Sequence, residues 1–229
     1  MSSVSTSAIS GMKQLFPSVW MDGKRILTRN LIPGFRGHSE ELVQFQGEEY
    51  RVWEPSHSKP AAALAKGLRT FPLGPGTKIL YLGAANGNTA SFFSDIVGPE
   101  GVIYAVEISP RSMRDLSGLA EKRKNIVPIL ANAKLPDTYS WVEKVDVLYQ
   151  DVATPDQGEI LIRNGKRFLK PGGTAMIAIK SRSIDVTRAP EEVYRQVLEK
   201  LKAFFSVLEK KKLDPLEKDH LFLVMKWKG

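Results

Sequence analysis

The 229-residue chain contains no cysteine. That absence excludes disulfides, thiolate catalysis and cysteine-ligated zinc. Histidine is nearly as scarce: His38, His57 and His220 are scattered and show no metal-ligand spacing, so no metal site is expected. Long hydrophobic runs are also missing. The longest apolar stretches, Thr174–Ile179 and Leu221–Met225, are strand-sized, far short of the roughly 20 residues that span a bilayer. The opening MSSVSTSAISGMK lacks both a basic start and a long apolar segment. It reads as a loose tail over about its first 11 residues and not as a secretory signal. The expectation is a soluble, cytoplasmic protein with no membrane partner.

What is present is ample for one packed domain with a small appendage: 42% of residues are apolar. The net charge is +8, with basic residues along the whole chain, from Lys24, Arg25, Arg29 and Arg36 through Lys122–Lys124 to Lys210–Lys212. Such a balance favours polyanionic partners, because neutralising phosphates releases counterions. Charge alone also fits an ordinary solvated surface.

Residues 1–55 read as a small antiparallel β domain. Val19–Met21 and Lys24–Thr28 flank Asp22-Gly23, and Leu42–Gln46 and Glu49–Trp53 flank a second glycine turn at Gly47. Residues 56–229 change character. After a helix at Ala61–Leu68, strands at Lys78–Leu82, Val102–Val106, Ile126–Leu130, Val145–Gln150 and Thr174–Ile179 alternate with helices at about Asn88–Val97, Arg111–Arg123, Asp156–Leu169 and Pro190–Ala203. That rhythm predicts a parallel sheet with helices on both faces. It breaks at the end, where Ser206–Leu213 and Leu221–Trp227 are consecutive strands. The expected fold class is therefore α/β: a seven-stranded sheet in the arrangement of Rossmann-like methyltransferases, with a small N-terminal antiparallel β domain.

The first strand of the α/β part runs into Gly83-Ala84-Ala85-Asn86-Gly87-Asn88-Thr89. Small residues let the backbone approach a ligand, and the following helix aims its free amides at the loop. Glu107 ends the next strand, where a carboxylate can accept hydrogen bonds from a ribose diol. The dinucleotide fingerprint G-x-G-x-x-G is broken, because Ala85 stands at its second glycine. S-adenosylmethionine, which has no pyrophosphate to cradle, therefore fits better than NAD. Asn132, after the third strand, can meet an adenine edge; on spacing alone it is equally a turn-forming asparagine.

Asp151 and Lys180 each follow a parallel strand, so both fall at the carboxyl edge of the sheet, where ligands bind in this architecture. A lysine held by an aspartate there can act as a base or polarise a hydroxyl. Spacing alone admits a plain surface ion pair equally well; the adjoining nucleotide loop favours the catalytic reading. Lys59 opens the first helix and His220 opens the last strand, both within reach of a sugar or its phosphate.

The segments Tyr50-Arg51-Val52-Trp53, Ser58-Lys59, Tyr81-Leu82-Gly83-Ala84 and the run from Ser94 to Leu116 resemble the fibrillarin family of RNA 2′-O-methyltransferases. So do Asp151-Val152-Ala153, Pro155-Asp156-Gln157, Ile179-Lys180 and Asp219-His220. The start without a Gly/Arg-rich stretch looks like the archaeal form. The resemblance implies a catalytic tetrad of Lys59, Asp151, Lys180 and His220. It implies S-adenosyl-L-methionine as cofactor, with contacts at Gly83, Ala84, Ala85, Thr89, Glu107, Ile108, Asn132, Ala133 and Asp151. It further implies methylation of rRNA, and of tRNA, within a ribonucleoprotein particle. The implied partners are a box C/D guide RNA and its target RNA, a Nop-family scaffold protein and a kink-turn-binding ribosomal-type protein. Two departures stand out: the loop reads Ala85-Asn86-Gly87-Asn88, and Asn132 stands where the family has Asp, which predicts weakened cofactor binding. A non-catalytic particle subunit and a nicotinamide-dependent oxidoreductase are the competing readings. The intact tetrad argues against the first. The broken glycine fingerprint argues against the second.

Overall fold

A computed structural model describes residue 9 and residues 11–229. The expected loose tail falls largely on residues 1–8 and 10, outside the described residues. Two sheets organise the fold. The N-terminal sheet is antiparallel, ordered β1-β2-β3-β5-β4, from β1 (Met12–Phe16), β2 (Val19–Asp22), β3 (Arg25–Arg29), β4 (Leu42–Phe45) and β5 (Glu48–Val52). The β2–β3 turn is Gly23-Lys24, one residue later than the sequence suggests, because Asp22 pairs directly with Arg25. The β4–β5 turn is Gln46-Gly47, both at positive φ as a tight hairpin requires. Strand β1, which the sequence reading did not include, follows directly after the expected tail: Met12–Phe16 pairs with β2 through a bulge.

The second sheet has seven strands in the order β11-β12-β10-β9-β6-β7-β8. Its parallel members are β6 (Lys78–Leu82), β7 (Val102–Glu107), β8 (Ile126–Leu130), β9 (Val145–Gln150) and β10 (Leu169–Lys180). Strands β11 (Phe205–Lys212) and β12 (His220–Trp227) close it antiparallel. The chain order reverses between β6 and β9, and at such a switch point the loops at the carboxyl ends diverge and leave a crevice. Edge strand β8 carries Pro128, tolerated because that side of the ladder needs no donor. Strand β10 begins earlier than expected. Lys170-Pro171-Gly172-Gly173, ahead of the expected strand at Thr174–Ile179, is a bulge inside the strand, between the Leu169–Val145 and Thr174–Val147 pairs.

Alternation along the strands builds a core on each face of the sheet. Ile79, Tyr81, Val147, Tyr149, Met176, Ala178, Phe222 and Val224 pack against α1 (Lys59–Ala65), α2 (Asn88–Val97) and α3 (Pro110–Lys122). Leu80, Leu82, Leu148, Ile177 and Ile179 pack against α4 (Gln157–Phe168) and, past a short helix α5 (Ser181–Ile184), α6 (Pro190–Lys202). In α1 the buried face is Ala61-Ala62-Ala63-Leu64, and such small side chains let the helix lie close to the strands.

The two sheets are joined by a buried ionic cluster. Asp95 of α2 accepts hydrogen bonds from Thr28 Oγ1 (2.8 Å), Leu31 N (3.0 Å), Arg51 Nη1 (2.8 Å) and Arg123 Nη1 (2.6 Å). The Arg51, Arg123 and Asp95 side chains are all at 0% exposure. Arg51 also reaches Glu40 (2.6 Å), and its guanidinium lies 4.1 Å from the Phe92 ring centre. Burial would raise the Glu40 carboxyl, but the Arg51 charge and the hydrogen bonds to Glu40 outweigh it and hold the carboxyl below its ordinary value.

Candidate active site

The same alternation carries the reactive side chains to one place. Val147 and Tyr149 face α1 and α2, and Asp151 continues that alternation one residue past β9. Met176 and Ala178 share the face, and Lys180 continues it at the end of β10. In the β10–β12 register Lys180 lies directly opposite His220, the residue that begins β12. Lys59 opens α1 on this face, and Ser58 Oγ, 2.9 Å from Thr89 Oγ1, pins that helix start to α2.

Contacts follow from this placement. Lys180 Nζ lies 2.8 Å from Asp151 Oδ1 and also donates to the Asp151 backbone carbonyl at 2.8 Å. Lys59 Nζ lies 3.7 Å from Asp151 Oδ2 and 3.4 Å from Glu217 Oε1. The three side chains are 12–21% exposed, close enough to solvent to meet a substrate yet mostly enclosed. Asp151 is thus held between two lysines, one at each carboxylate oxygen. His220 meets Lys180 through the strand register, and its side chain is turned to the backbone, with Nδ1 2.6 Å from the Lys218 carbonyl. Asp219, at φ 58°, accepts Ser181 N (3.2 Å) and Ser181 Oγ (3.1 Å) at its carbonyl, fixing the turn that leads into His220.

Beneath the ion pair lie two fully buried phenols, Tyr81 and Tyr149, with ring centres 4.7 Å apart. Burial, and then the nearby Asp151 charge, push both far above the ordinary tyrosine value. Both are held in the neutral phenol form near neutral pH.

A cavity of about 560 Å³ opens beside Asp151 at the switch point, within the roughly 300–1,000 Å³ range of small-molecule sites. Gly83, Ala85, Glu107, Ile108, Asn132, Ala133 and Asp151 line it, as the sequence suggests, joined by Lys134 and Thr154, which it did not flag. Ala84 and Thr89 are not among the lining residues. Ala84 is packed in the core, and the Thr89 hydroxyl is engaged by Ser58.

Two local devices shape the wall. Gly83 sits at φ +82°, and a Cβ there would come within 3.1 Å of the Asp151 carbonyl carbon. Only glycine lets β6 and β9 part at this closeness. Glu107 is fixed by three backbone amides: Ala85 N on Oε2 (2.8 Å), and Ile108 N (2.9 Å) and Ser109 N (2.8 Å) on Oε1. The carboxylate is therefore held rigidly at the cavity edge, with lone pairs left for a diol. Ile108, 62% exposed at the mouth, offers an apolar surface to a flat ring. Asn132 Oδ1 accepts from Lys134 N at 3.0 Å. Asn132 therefore forms its own turn, one of the two sequence readings, and it also lines the cavity.

Glu217 was not foreseen, because nothing in Leu216-Glu217-Lys218 distinguishes it from a solvated loop.

This strand order, with its antiparallel closing pair, glycine loop and acidic strand end, defines a Rossmann-like S-adenosylmethionine-dependent methyltransferase. A family model described as Fibrillarin matches residues 10–229, and the chain belongs to the fibrillarin family. It is 53% identical over 221 residues to a fibrillarin-like rRNA/tRNA 2′-O-methyltransferase of Thermococcus gammatolerans, covering 93% of this chain and 98% of that protein. Among solved structures it is similar to the Methanococcus jannaschii fibrillarin pre-rRNA processing protein, at TM-score 0.91 and 45% identity over 96% of this chain and 98% of that one. It is also similar to Aeropyrum pernix fibrillarin with natively bound S-adenosyl-L-methionine, at TM-score 0.87 and 44% identity over 95% and 99%. The fibrillarin chain of a fibrillarin/Nop5p complex matches at TM-score 0.87 and 40% identity, over 94% and 100%.

Proposed function

We propose that this chain methylates ribose 2′-hydroxyls of rRNA and tRNA, using S-adenosylmethionine, within a box C/D guide-RNA particle. The observation that carries the reading is the Lys180–Asp151–Lys59 ion cluster, whose Asp151 lines a nucleotide-sized cavity, with His220 across the strand from Lys180.

When bound, S-adenosylmethionine supplies a methyl group activated on a sulfonium, and S-adenosylhomocysteine remains after transfer. The chain's residues do the rest. Glu107 holds the cofactor ribose, while Ile108, Ala133 and the backbone beside Gly83 and Ala85 enclose the adenosine. Asp151 orients Lys180 through both its carboxylate and its carbonyl. The Lys180–Asp151 pair meets the target 2′-hydroxyl, accepts its proton and stabilises the charge developing on the oxygen. Lys59 and His220 flank that point and hold the sugar and its phosphate. Positioning of this kind accounts for much of the rate gain when two reactants are brought into line.

Target choice is delegated. The sequence shows none of the RNP, KH or zinc-knuckle patterns of RNA readers. Pairing between guide and target supplies specificity, and the +8 charge supplies affinity for the backbone. A Nop-family scaffold protein docks the chain, as supported by the fibrillarin/Nop5p relative; a kink-turn-binding ribosomal-type protein completes the particle.

The test is transfer of labelled methyl from S-adenosylmethionine to guided RNA in a reconstituted particle, comparing wild type with Lys180→Ala. Label that depends on Lys180 supports the reading. No label from wild type, despite confirmed assembly and cofactor binding, overturns it in favour of an assembly subunit.

A further inference from the structure

The segment Pro155-Asp156-Gln157 stands out in the sequence, yet the site as described gives Gln157 no task. Its side chain is fully buried, an unusual setting for a primary amide. Strand β9 pairs with β10 only as far as Gln150 opposite Ile177. Lys180 is three residues further along and therefore has no strand partner on that side. On the other side, β12 is engaged through Ser181 N, which donates to the Asp219 carbonyl.

Gln157 fills the missing place. Its Oε1 accepts the Lys180 backbone N–H at 3.1 Å, and its Nε2 donates to the Lys180 carbonyl at 3.3 Å. A side-chain amide thus does for Lys180 what a peptide of a neighbouring strand does elsewhere in the sheet. Gln157 is itself anchored: its backbone carbonyl accepts from Gln150 Nε2 at 2.8 Å. Gln150, also fully buried, immediately precedes Asp151. One chain of hydrogen bonds therefore runs from the residue before Asp151, through Gln157, to the backbone of Lys180.

We infer that Gln157 is a positioning residue for the Lys180–Asp151 pair, a one-residue substitute strand that fixes the Lys180 backbone so that its Nζ stays on Asp151. This rests on the methyltransferase reading above and deepens it. The chemistry demands this side chain. An apolar residue leaves both Lys180 backbone groups unpaired in the interior. An ionised glutamate can accept but not donate. A protonated glutamate, by contrast, carries one donor and one acceptor in the same shape.

The test uses the full chain and three readouts. The first needs no cofactor: hydrogen exchange of the Lys180 amide, followed by NMR. Gln157→Leu should speed that exchange at least about tenfold while the β12 amides beyond Leu221 stay protected, since the lost bond is local. The second is single-turnover methyl transfer in the particle. Gln157→Leu should lower the rate by about 10- to 100-fold and leave calorimetric affinity for S-adenosylhomocysteine within about twofold. The third is the Gln157→Glu variant. Its rate should approach wild type at low pH and fall as the carboxyl ionises, a limb absent from the wild-type profile.

Unchanged Lys180 amide exchange in Gln157→Leu, or parallel loss of rate and cofactor affinity, overturns the inference. If Gln157→Leu does not fold, a Gln157→Glu profile that matches wild type at every pH overturns it. A Lys180→Ala control separates the two layers. If that variant transfers as fast as wild type, the assignment of Lys180 fails and the positioning inference falls with it. If Lys180→Ala is dead and Gln157→Leu is fully active, only the inference fails.

Discussion

Lys180 and His220 lie directly opposite one another across β10 and β12, and Asp151, just past the strand on the other side of β10, meets Lys180 Nζ at 2.8 Å. Three residues far apart in sequence thus share one sheet edge through register alone. The arrangement has a simple consequence for substitutions. Residues on this edge govern chemistry, whereas residues that set the distance between strands govern whether the edge exists.

Removing the lysine tests the first half. Lys180→Ala should lower the methyl-transfer rate by roughly 10²- to 10⁴-fold, the span typical of a positioned proton-transfer group. Affinity for S-adenosylhomocysteine should hold, because Lys180 is not among the residues that line the cavity. Single-turnover rates with isothermal titration check both. Lys180→Arg should not rescue the rate, since a planar guanidinium cannot repeat the bond to both the carboxylate and the carbonyl of Asp151.

Gly83→Ala tests the second half. The residue sits at φ +82°, and a Cβ would come within 3.1 Å of the Asp151 carbonyl carbon and 3.2 Å of its oxygen. Backbone strain there should cost about 1–3 kcal/mol. The strand ends must also part, so cofactor affinity should fall with stability. Denaturant melts and titration with S-adenosylhomocysteine report the two effects.

Asp95→Ala should be among the most destabilising substitutions in the chain. It leaves two fully buried guanidiniums, Arg51 and Arg123, without the carboxylate they share. Losing one partner of such a cluster costs about 3–5 kcal/mol. Because Thr28 and Leu31 also bond to Asp95, the N-terminal sheet should loosen from α2, with faster hydrogen exchange along β3.

Glu40 gives a pH-dependent counterpart. Its carboxyl is lowered from 4.5 in the folded protein, so its stabilising contribution is present above the unfolded value and disappears as pH falls through the folded one. Glu40→Gln should therefore be less stable than wild type near neutral pH. The gap should narrow once the pH drops below about 4.5. Thermal melts from neutral to acid pH, at fixed ionic strength, measure it.

Much of this was legible in the sequence because parallel strands are continuous apolar runs, and the residue that ends each run falls at the ligand edge. Gly83, Glu107, Asp151 and Lys180 were found that way. Strand β1 was missed because Met12–Phe16 lies on the outer edge of its sheet and carries Lys13 and Gln14 among its apolar residues. The start of β10 was misread because Pro171-Gly172-Gly173 has turn composition, although the bulge uses it inside a strand. Glu217, Gln157 and the Arg51–Asp95–Arg123 cluster share another cause. Each is a polar residue whose partner lies far along the chain, and no local pattern encodes such a partner. Arg51 in the middle of a strand motif was visible; its bond to Asp95 was not.

The central claim is that the acceptor is a ribose 2′-oxygen. The most direct test is labelled-methyl transfer in the reconstituted particle to two target RNAs that differ at one atom. One carries the ordinary ribose at the guided nucleotide, and the other carries 2′-deoxyribose there. The account predicts label on the first RNA and none on the second, with guide pairing intact in both. Label retained on the deoxy RNA would place the methyl on a base or another atom and contradict the role assigned to Lys180 and Asp151.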